Sequence, residues 1–248
     1  MEQSLLKIGT AGWTVPARDA ARAPASGSHL ERYARRLNAV EINSSFHRPH
    51  RAQTYARWAA ATPAAFRFSV KVPKAMTHER ALEDCGALLG RFADEVAGLG
   101  DKLAVLLVQL PPKAALNKRI AATFFRALRK RVEVPVALEP RHASWFAPEI
   151  DAWLAARGIA RAAADPTTVA LAALGAGEPG GWPGLAYYRW HGAPRRYYSD
   201  YDAAALAALE RRLDRSRRTG VPTWCIFDNT ASGAAFGNAL SLQGLLAT

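Results

Sequence analysis

Residues 39–47 read Ala39-Val40-Glu41-Ile42-Asn43-Ser44-Ser45-Phe46-His47, and residues 66–73 read Phe66-Arg67-Phe68-Ser69-Val70-Lys71-Val72-Pro73. Side chains of a strand alternate between its two faces. Glu41 and Asn43 therefore share one face, with Val40 and Ile42 on the other. In the second stretch Ser69 and Lys71 face away from Phe68, Val70 and Val72. An apolar side meant for helices and a polar side meant for an interior are predicted for both.

Working outward, runs rich in Val, Ile, Leu and aromatics recur. They predict eight strands: 5–13, 39–46, 66–73, 103–110, 135–141, 159–165, 185–191 and 222–229. Their starts lie 24 to 37 residues apart, close to the length of a βαβ unit, about 30 residues. Between them, Ile120, Phe124 and Leu128, then Ile150, Trp153 and Leu154, then Leu206, Leu209 and Leu213 fall at helical spacing. Pro148 suits the first turn of one helix, and Gly158 and Gly220 suit helix ends. The sixth unit is the weakest, with a short helix expected over 167–174 and a loop over 175–184.

Eight β/α units in about 250 residues fit a closed (β/α)8 TIM-type barrel better than an open doubly wound sheet. No GxGxxG or GxxxxGK[ST] follows a strand, which argues against the common nucleotide-binding sheets. No repeat, linker or composition shift divides the chain, so residues 1–248 are expected to form a single barrel domain.

The chain is 50% hydrophobic and 22% charged, an ordinary globular composition that excludes disordered and fibrous classes. Cys85 and Cys225 lack metal-ligand spacing and read as buried small hydrophobes, so a reducing, cytoplasmic setting is expected. No basic region followed by a long apolar stretch opens the chain, and no apolar run is long enough to span a bilayer. No membrane partner is expected; oligomeric state is not legible.

The net charge is +12, which invites a nucleic-acid reading. Much of it is in Arg126, Arg129, Lys130 and Arg131 and in Arg211, Arg212, Arg215, Arg217 and Arg218, predicted last turns of helices, where cations complement the helix dipole. In a barrel those turns point away from the mouth. Arg with abundant Ala also follows from biased base composition. Nearer the mouth, Arg48, Arg51, Lys74, Arg80, Lys113, Arg195 and Arg196 outnumber Asp200 and Asp202, a balance suited to an anionic substrate.

Barrel chemistry belongs at the C-terminal strand ends. The alternation places Glu41, Asn43, Lys71, Gln109, Glu139, Arg141, Arg189 and His191 inward there, with Asp228 and Asn229 ending the last strand. Five of six histidines, His47, His50, His78, His142 and His191, lie at or just beyond strand ends. Lys71 with Glu139 would serve as a buried ion pair, but such pairs stabilise little compared with apolar packing, so their retention suggests use. Trp13 and Trp145 are expected to wall a pocket, whereas Trp58 and Trp153 have helical spacing and read as core. Small residues 229–235 open the last helix, either as an anion site at its amino end or as a plain cap by Thr230 or Ser232.

The blocks GTAGW, VEINSSFHRP, FRFSVKVPKAMTH, LLVQLPP, ALEPRHASW, YRWHG and FDNTASGAA, in this order across the chain, resemble the YecE-like family, domain of unknown function family 72. The resemblance covers essentially the whole chain and implies a (β/α)8 barrel without supplying a reaction. Its motif positions fall on Glu41, Asn43, Lys71, Thr77, His78, Gln109, Glu139, Arg141, His142, Arg189, His191 and Asn229. Thr14-Val15-Pro16 and Pro140 depart from its aromatic pattern, which weakens any role for the first loop.

The reading predicts acid–base chemistry on a small phosphorylated or carboxylated molecule. Glu41, Lys71, Glu139, His191 and Asp228 form the candidate catalytic set. Trp13, Asn43, His78, Gln109, Arg141, His142, Trp145, Arg189 and Asn229 form the binding set. No cofactor is predicted, although cross-strand ligands leave a divalent metal possible. The alternatives are a nucleic-acid-binding or metal-dependent phosphodiester-cleaving barrel and a non-catalytic ligand-binding module.

Overall fold

A computed structural model describes residues 5–247. Its strands are β1 (Leu6–Thr10), β2 (Ala39–Ile42), β3 (Arg67–Lys71), β4 (Leu103–Gln109), β5 (Val136–Glu139), β6 (Ile159–Arg161), β7 (Ala163–Asp165), β8 (Gly180–Gly181), β9 (Ala186–Trp190) and β10 (Thr223–Phe227). The α-helices are α1 (His29–Ala34), α2 (Ser44–His47), α3 (Ala52–Ala60), α4 (Gly86–Val96), α5 (Lys118–Arg129), α6 (Pro148–Ala155), α7 (Val169–Ala173), α8 (Ala203–Arg218) and α9 (Ala234–Leu245).

The ladders form two sheets, ordered β1-β10-β9-β7 and β2-β3-β4-β5-β6-β8. Every pairing between named strands is parallel except the two-residue β8 against β6. The fold is thus a mixed α/β structure with parallel sheets. The expected sixth strand is present but changes partner midway: β6 pairs with β5 and β7 with β9. Between them the Ala162 N–H still donates to the Leu138 carbonyl, at 2.8 Å. The other two sheet edges also meet. Ala11 bridges Glu41, the Gly12 N–H donates to the Glu41 carbonyl at 2.8 Å, and the Asn38 side chain ties Ile8 N–H to the Leu6 carbonyl. Gly9 permits this approach, since a Cβ there would lie 2.2 Å from the Ala39 carbonyl oxygen.

The period of two partitions the buried apolar residues into two clusters. Val40, Ile42, Phe68, Val70, Leu106, Val108, Val136 and Leu138 belong to the large cluster shared with the helices, which contribute Phe92, Phe124, Leu128, Leu154, Leu209 and Leu213. Ala39, Val105, Leu107, Ala137, Ala160, Ala162, Tyr187, Trp224 and Ile226 form a separate cluster on the opposite strand faces. A fully buried Leu or Phe contributes roughly 1.5–3 kcal/mol relative to exposure, so this alternation fixes which face each strand presents. Cys85 and Cys225 are buried and unpaired.

Local signals hold at the helix ends. Asn117 caps α5, Asp202 caps α8, and Ser28 with Glu31 forms a capping box on α1. Gly158 and Gly220 adopt positive φ just past helices. The weak sixth unit is short α7, with no buried residue and Val169 90% exposed. Strand two was expected to reach Phe46 but stops at Ile42, because Ser44–His47 turns into α2; Ser45 Oγ lies 3.0 Å from the Ile42 carbonyl and 2.7 Å from that of Lys71. Among the described residues no helix is long and apolar enough to cross a membrane.

Candidate functional site

Arg189, on β9, is the centre of a charged cluster buried at the C-terminal ends of the strands. Its guanidinium donates from Nε and Nη2 to Glu41 at 3.0 and 2.7 Å, from Nη1 to Glu139 at 2.5 Å, and from Nη2 to Asp228 at 2.9 Å. Glu41, Glu139 and His191 are 0% exposed and Arg189 1%. Ions so deeply buried persist only when paired and hydrogen-bonded. Tyr187, two residues before Arg189 and on the same strand face, donates to Glu41 at 2.8 Å and lies 2.8 Å from Ser69 Oγ.

Arg141 extends the cluster to the partly exposed edge. Its Nε donates to Glu139 at 2.6 Å, its Nη2 also pairs with Glu139, and Nη2 lies 3.2 Å from His191 Nε2. His191 Nδ1 is 3.0 Å from Asp228 Oδ2, and Nε2 is 3.4 Å from Glu139 Oε1. Asn43 Nδ2 donates to the other Asp228 oxygen at 3.4 Å. Lys71, on β3, places its ammonium 4.1 Å from the centre of the Phe46 ring. Three carboxylates, Glu41, Glu139 and Asp228, thus face three permanent or potential cations, Arg189, Arg141 and Lys71.

The charges set one another's proton affinities. Burial pushes the Glu139 carboxyl up, but Arg141, Arg189 and His191 more than offset it and hold it well below the usual carboxylate range. Asp228 is lowered in the same way by Arg189 and His191 against burial. Burial lowers Lys71, Arg189 lowers it further, and Glu41, Glu139 and Asp228 pull it partly back, leaving it at about 8. Burial, Lys71, Arg141 and Lys113 lower His78, whose ring also meets Phe46 with centres 4.9 Å apart. Lys71 is thus brought toward neutral pH, and it is 8% exposed.

Beside Arg141 opens a cavity of about 250 Å³, lined also by Phe146, Ala162, Ala164, Thr167 and Arg196. Arg196 reaches it from the loop after β9, anchored by donating to the Pro166 carbonyl at 2.6 Å. No acidic side chain lines this cavity. Among the described residues no group of three or more His, Cys, Asp and Glu side chains is placed to hold a metal ion.

Glu41, Asn43, Lys71, Glu139, Arg141, Arg189, His191 and Asp228, scattered over the sequence, are brought together. Arg189 differs from its expected role: four of its five N–H donors are spent on carboxylates and it is 1% exposed, so it organises the carboxylates rather than meeting a substrate. Glu41 likewise has both oxygens engaged. Trp145 is not a pocket wall; it is 1% exposed in the helix-facing core, where its indole donates to the Ala114 carbonyl at 2.9 Å. Asn229 is buried and donates to Ser199 O and Asn238 Oδ1, tying a loop to α9. His142 accepts from Ser144 N–H as the cap of a short 3-10 turn. Gln109 Nε2 donates to the Leu110 carbonyl, and Trp13 packs edge-on against Trp58 at 4.9 Å. Neither Thr230 nor Ser232 caps α9; Gly233 does, at φ 77°, and Ser232 donates to the Tyr198 carbonyl. Pro16 lies against Gly233, 3.0 Å from where a Cβ would stand.

Sequence reasoning missed Tyr187 and Phe46 as parts of the site, and it counted Arg196 only within the general basic balance, with no individual role. Tyr187 was detectable, since it shares the face of Arg189 and His191 at a spacing of two. Arg196 carried no such signal, because a loop has no period.

Comparison with known proteins agrees with this architecture. A family model described as "Protein of unknown function DUF72" matches residues 7–248. The chain is 23% identical to the UPF0759 protein YunF of Bacillus subtilis, covering 98% of this chain and 95% of that one. It is 30% identical to the UPF0759 protein YecE of Escherichia coli K12 over 119 residues, 48% of this chain and 43% of YecE. Among solved structures, a DUF72 family protein of Enterococcus faecalis superposes with a TM-score of 0.78 at 21% identity, over 98% of this chain and 96% of that one. A DUF72 family protein of Thermotoga maritima gives 0.77 at 24% identity, over 98% and 99%. With a family match that runs nearly end to end, the chain belongs to the DUF72 family.

Proposed function

We propose that the two sheets wrap into a (β/α)8-type barrel whose mouth is the active site of an enzyme using acid–base chemistry on a small anionic substrate. Both seams between the sheets carry backbone contacts, at Ala11 with Glu41 and at Ala162 with Leu138, and the inner apolar cluster lies on the strand faces away from the helices. These features support the barrel reading, in which chemistry sits at the C-terminal strand ends.

The observation that carries the functional reading is Lys71, an almost buried amine at about 8 beside carboxylates locked in the ionised form. A proton donor or acceptor works best when its affinity lies near the operating pH, and perturbed groups in a cleft mark functional sites. Arg141 and Arg196 suit a carboxylate or phosphate in the adjoining cavity, and Arg141 joins that cavity to the carboxylate cluster through Glu139. Arg189 fixes Glu41, Glu139 and Asp228, so the field around Lys71 is set before substrate arrives. Asp228 and His191 form a second hydrogen-bonded pair able to orient a polar group.

Thermal unfolding across a panel of small carboxylates and phosphate monoesters at fixed salt tests this. A true ligand at about 100 times its Kd adds roughly 2.7 kcal/mol. The shift is expected to vanish in Arg196→Ala and to persist in Lys71→Met, which binds without turnover. A panel with no shift that depends on Arg141 or Arg196 defeats the proposal.

A further inference from the structure

A second cavity, about 260 Å³, lies on the other side of Phe46, between α2, the helical turn at 75–79 and α4. That size is near the lower end for small-molecule pockets, which run from about 300 Å³ upward. Phe46, Met76, Leu88 and Phe92 give it an apolar lining, and Arg48 and Arg91 stand on its walls. Met76 and Phe92 are 1% and 2% exposed, so the floor is fixed by core packing. Both arginines are exposed, and among the described residues neither forms a salt bridge, whereas neighbouring Lys74 is paired with Glu79 at 3.3 Å. The remaining wall carboxyl, Glu95, is pushed up by burial although Arg91 draws it down. The lining thus carries three cations, Arg48, Lys74 and Arg91, against two carboxyls, Glu79 and Glu95, and of the cations only Lys74 is in a salt bridge among the described residues.

The cavity also touches the mouth through a shared wall. Phe46 lines it and carries the Lys71 ammonium 4.1 Å from its ring centre. The turn that supplies Met76 leads into Ala81, Leu82 and Asp84, three non-glycine residues at positive φ, 47°, 73° and 47°. Such strained backbone gathers at ligand clamps and switch regions. Packing holds it here, with Leu82 N–H donating to the Met76 carbonyl at 2.8 Å.

We infer that this hollow is a second binding site, for an amphipathic anion: one ring or a short chain against Phe46, Met76, Leu88 and Phe92, with a carboxylate, sulfonate or phosphate held by Arg48 and Arg91. The probe is 1-anilinonaphthalene-8-sulfonate, titrated by fluorescence into the full chain. One saturable site is expected, from which 4-phenylbutyrate displaces the dye at least fivefold more readily than 4-phenylbutylamine, which has the same body and the opposite charge. Arg91→Glu is expected to raise the dye's Kd fivefold or more. Arg48→Glu repeats the test should the first variant lose its native circular dichroism. Arg141→Ala is expected to leave the Kd unchanged, so loss of binding there places the dye in the mouth and overturns the assignment. A change below fivefold in both charge reversals, or equal displacement by acid and amine, also overturns it. None of these readings requires catalytic turnover, so this site and the proposed reaction stand or fall separately.

Discussion

Lys71→Met offers a quantitative test of the electrostatics at the mouth. Methionine keeps a flexible apolar chain of similar length but removes the ammonium. In the folded protein burial and Arg189 bring Lys71 from its ordinary 10.5 down to about 8 despite three carboxylates nearby. At about 1.4 kcal/mol per pKa unit, a charged Lys71 costs the fold roughly 3 kcal/mol. The sign follows from linkage. Below pH 8 both folded and unfolded chains carry the proton and the cost is present in full. Between about 8 and 10.5 the unfolded chain holds one proton more than the folded one, so wild-type stability rises relative to the variant. Above 10.5 the cost is gone. Urea unfolding of both proteins from pH 6.5 to 10.5 is therefore expected to show Lys71→Met more stable by up to about 3 kcal/mol at neutral pH, with the gap closing across that window. A gap that does not vary with pH, or a variant less stable at pH 7, refutes the reasoning.

The same cluster predicts that Arg189→Met costs about 3–5 kcal/mol, because it strands buried carboxylates; chemical denaturation measures it. Adding Glu41→Gln to that variant should recover part of the loss, which a double-mutant cycle reads as coupling between residues in direct contact. At acid pH, Glu139 and Asp228, both lowered when folded, contribute stability that is complete above the ordinary carboxylate range and is lost as pH falls through their depressed values. Unfolding followed from pH 6 to pH 2 should show that loss on the acid side of about pH 4, and a flat profile contradicts it. Gly9→Val should destabilise strongly, since its Cβ would fall 2.2 Å from the Ala39 carbonyl oxygen at the seam of β1 and β2; a melting temperature within a degree of wild type rules out the close approach.

The alternation at 39–47 and 66–73 was enough to place Glu41, Ser69 and Lys71 on one side of their strands and Val40, Ile42, Phe68 and Val70 on the other. Strand positions along the chain and helix ends were legible for the same reason: parity, helical spacing, Pro148, Gly158 and Gly220 are local properties of backbone geometry. What a sequence cannot encode locally is which inward residues meet across the interior. Glu41 and Arg189 are 148 positions apart, yet they share two hydrogen bonds. Only that encounter shows Arg189 to be spent on carboxylates, and only packing turns Trp145 and Asn229 from pocket candidates into core and bracing residues. The switch of the 159–165 run from one sheet to the other, the packing of Pro16 against Gly233 and the arrival of Arg196 from a loop also arise from tertiary contacts. Sequence alone determined which residues share a strand face, because side-chain direction follows from neighbouring φ and ψ. Tertiary structure decided their partners and charge states, because Coulomb interaction and desolvation depend on distances through space.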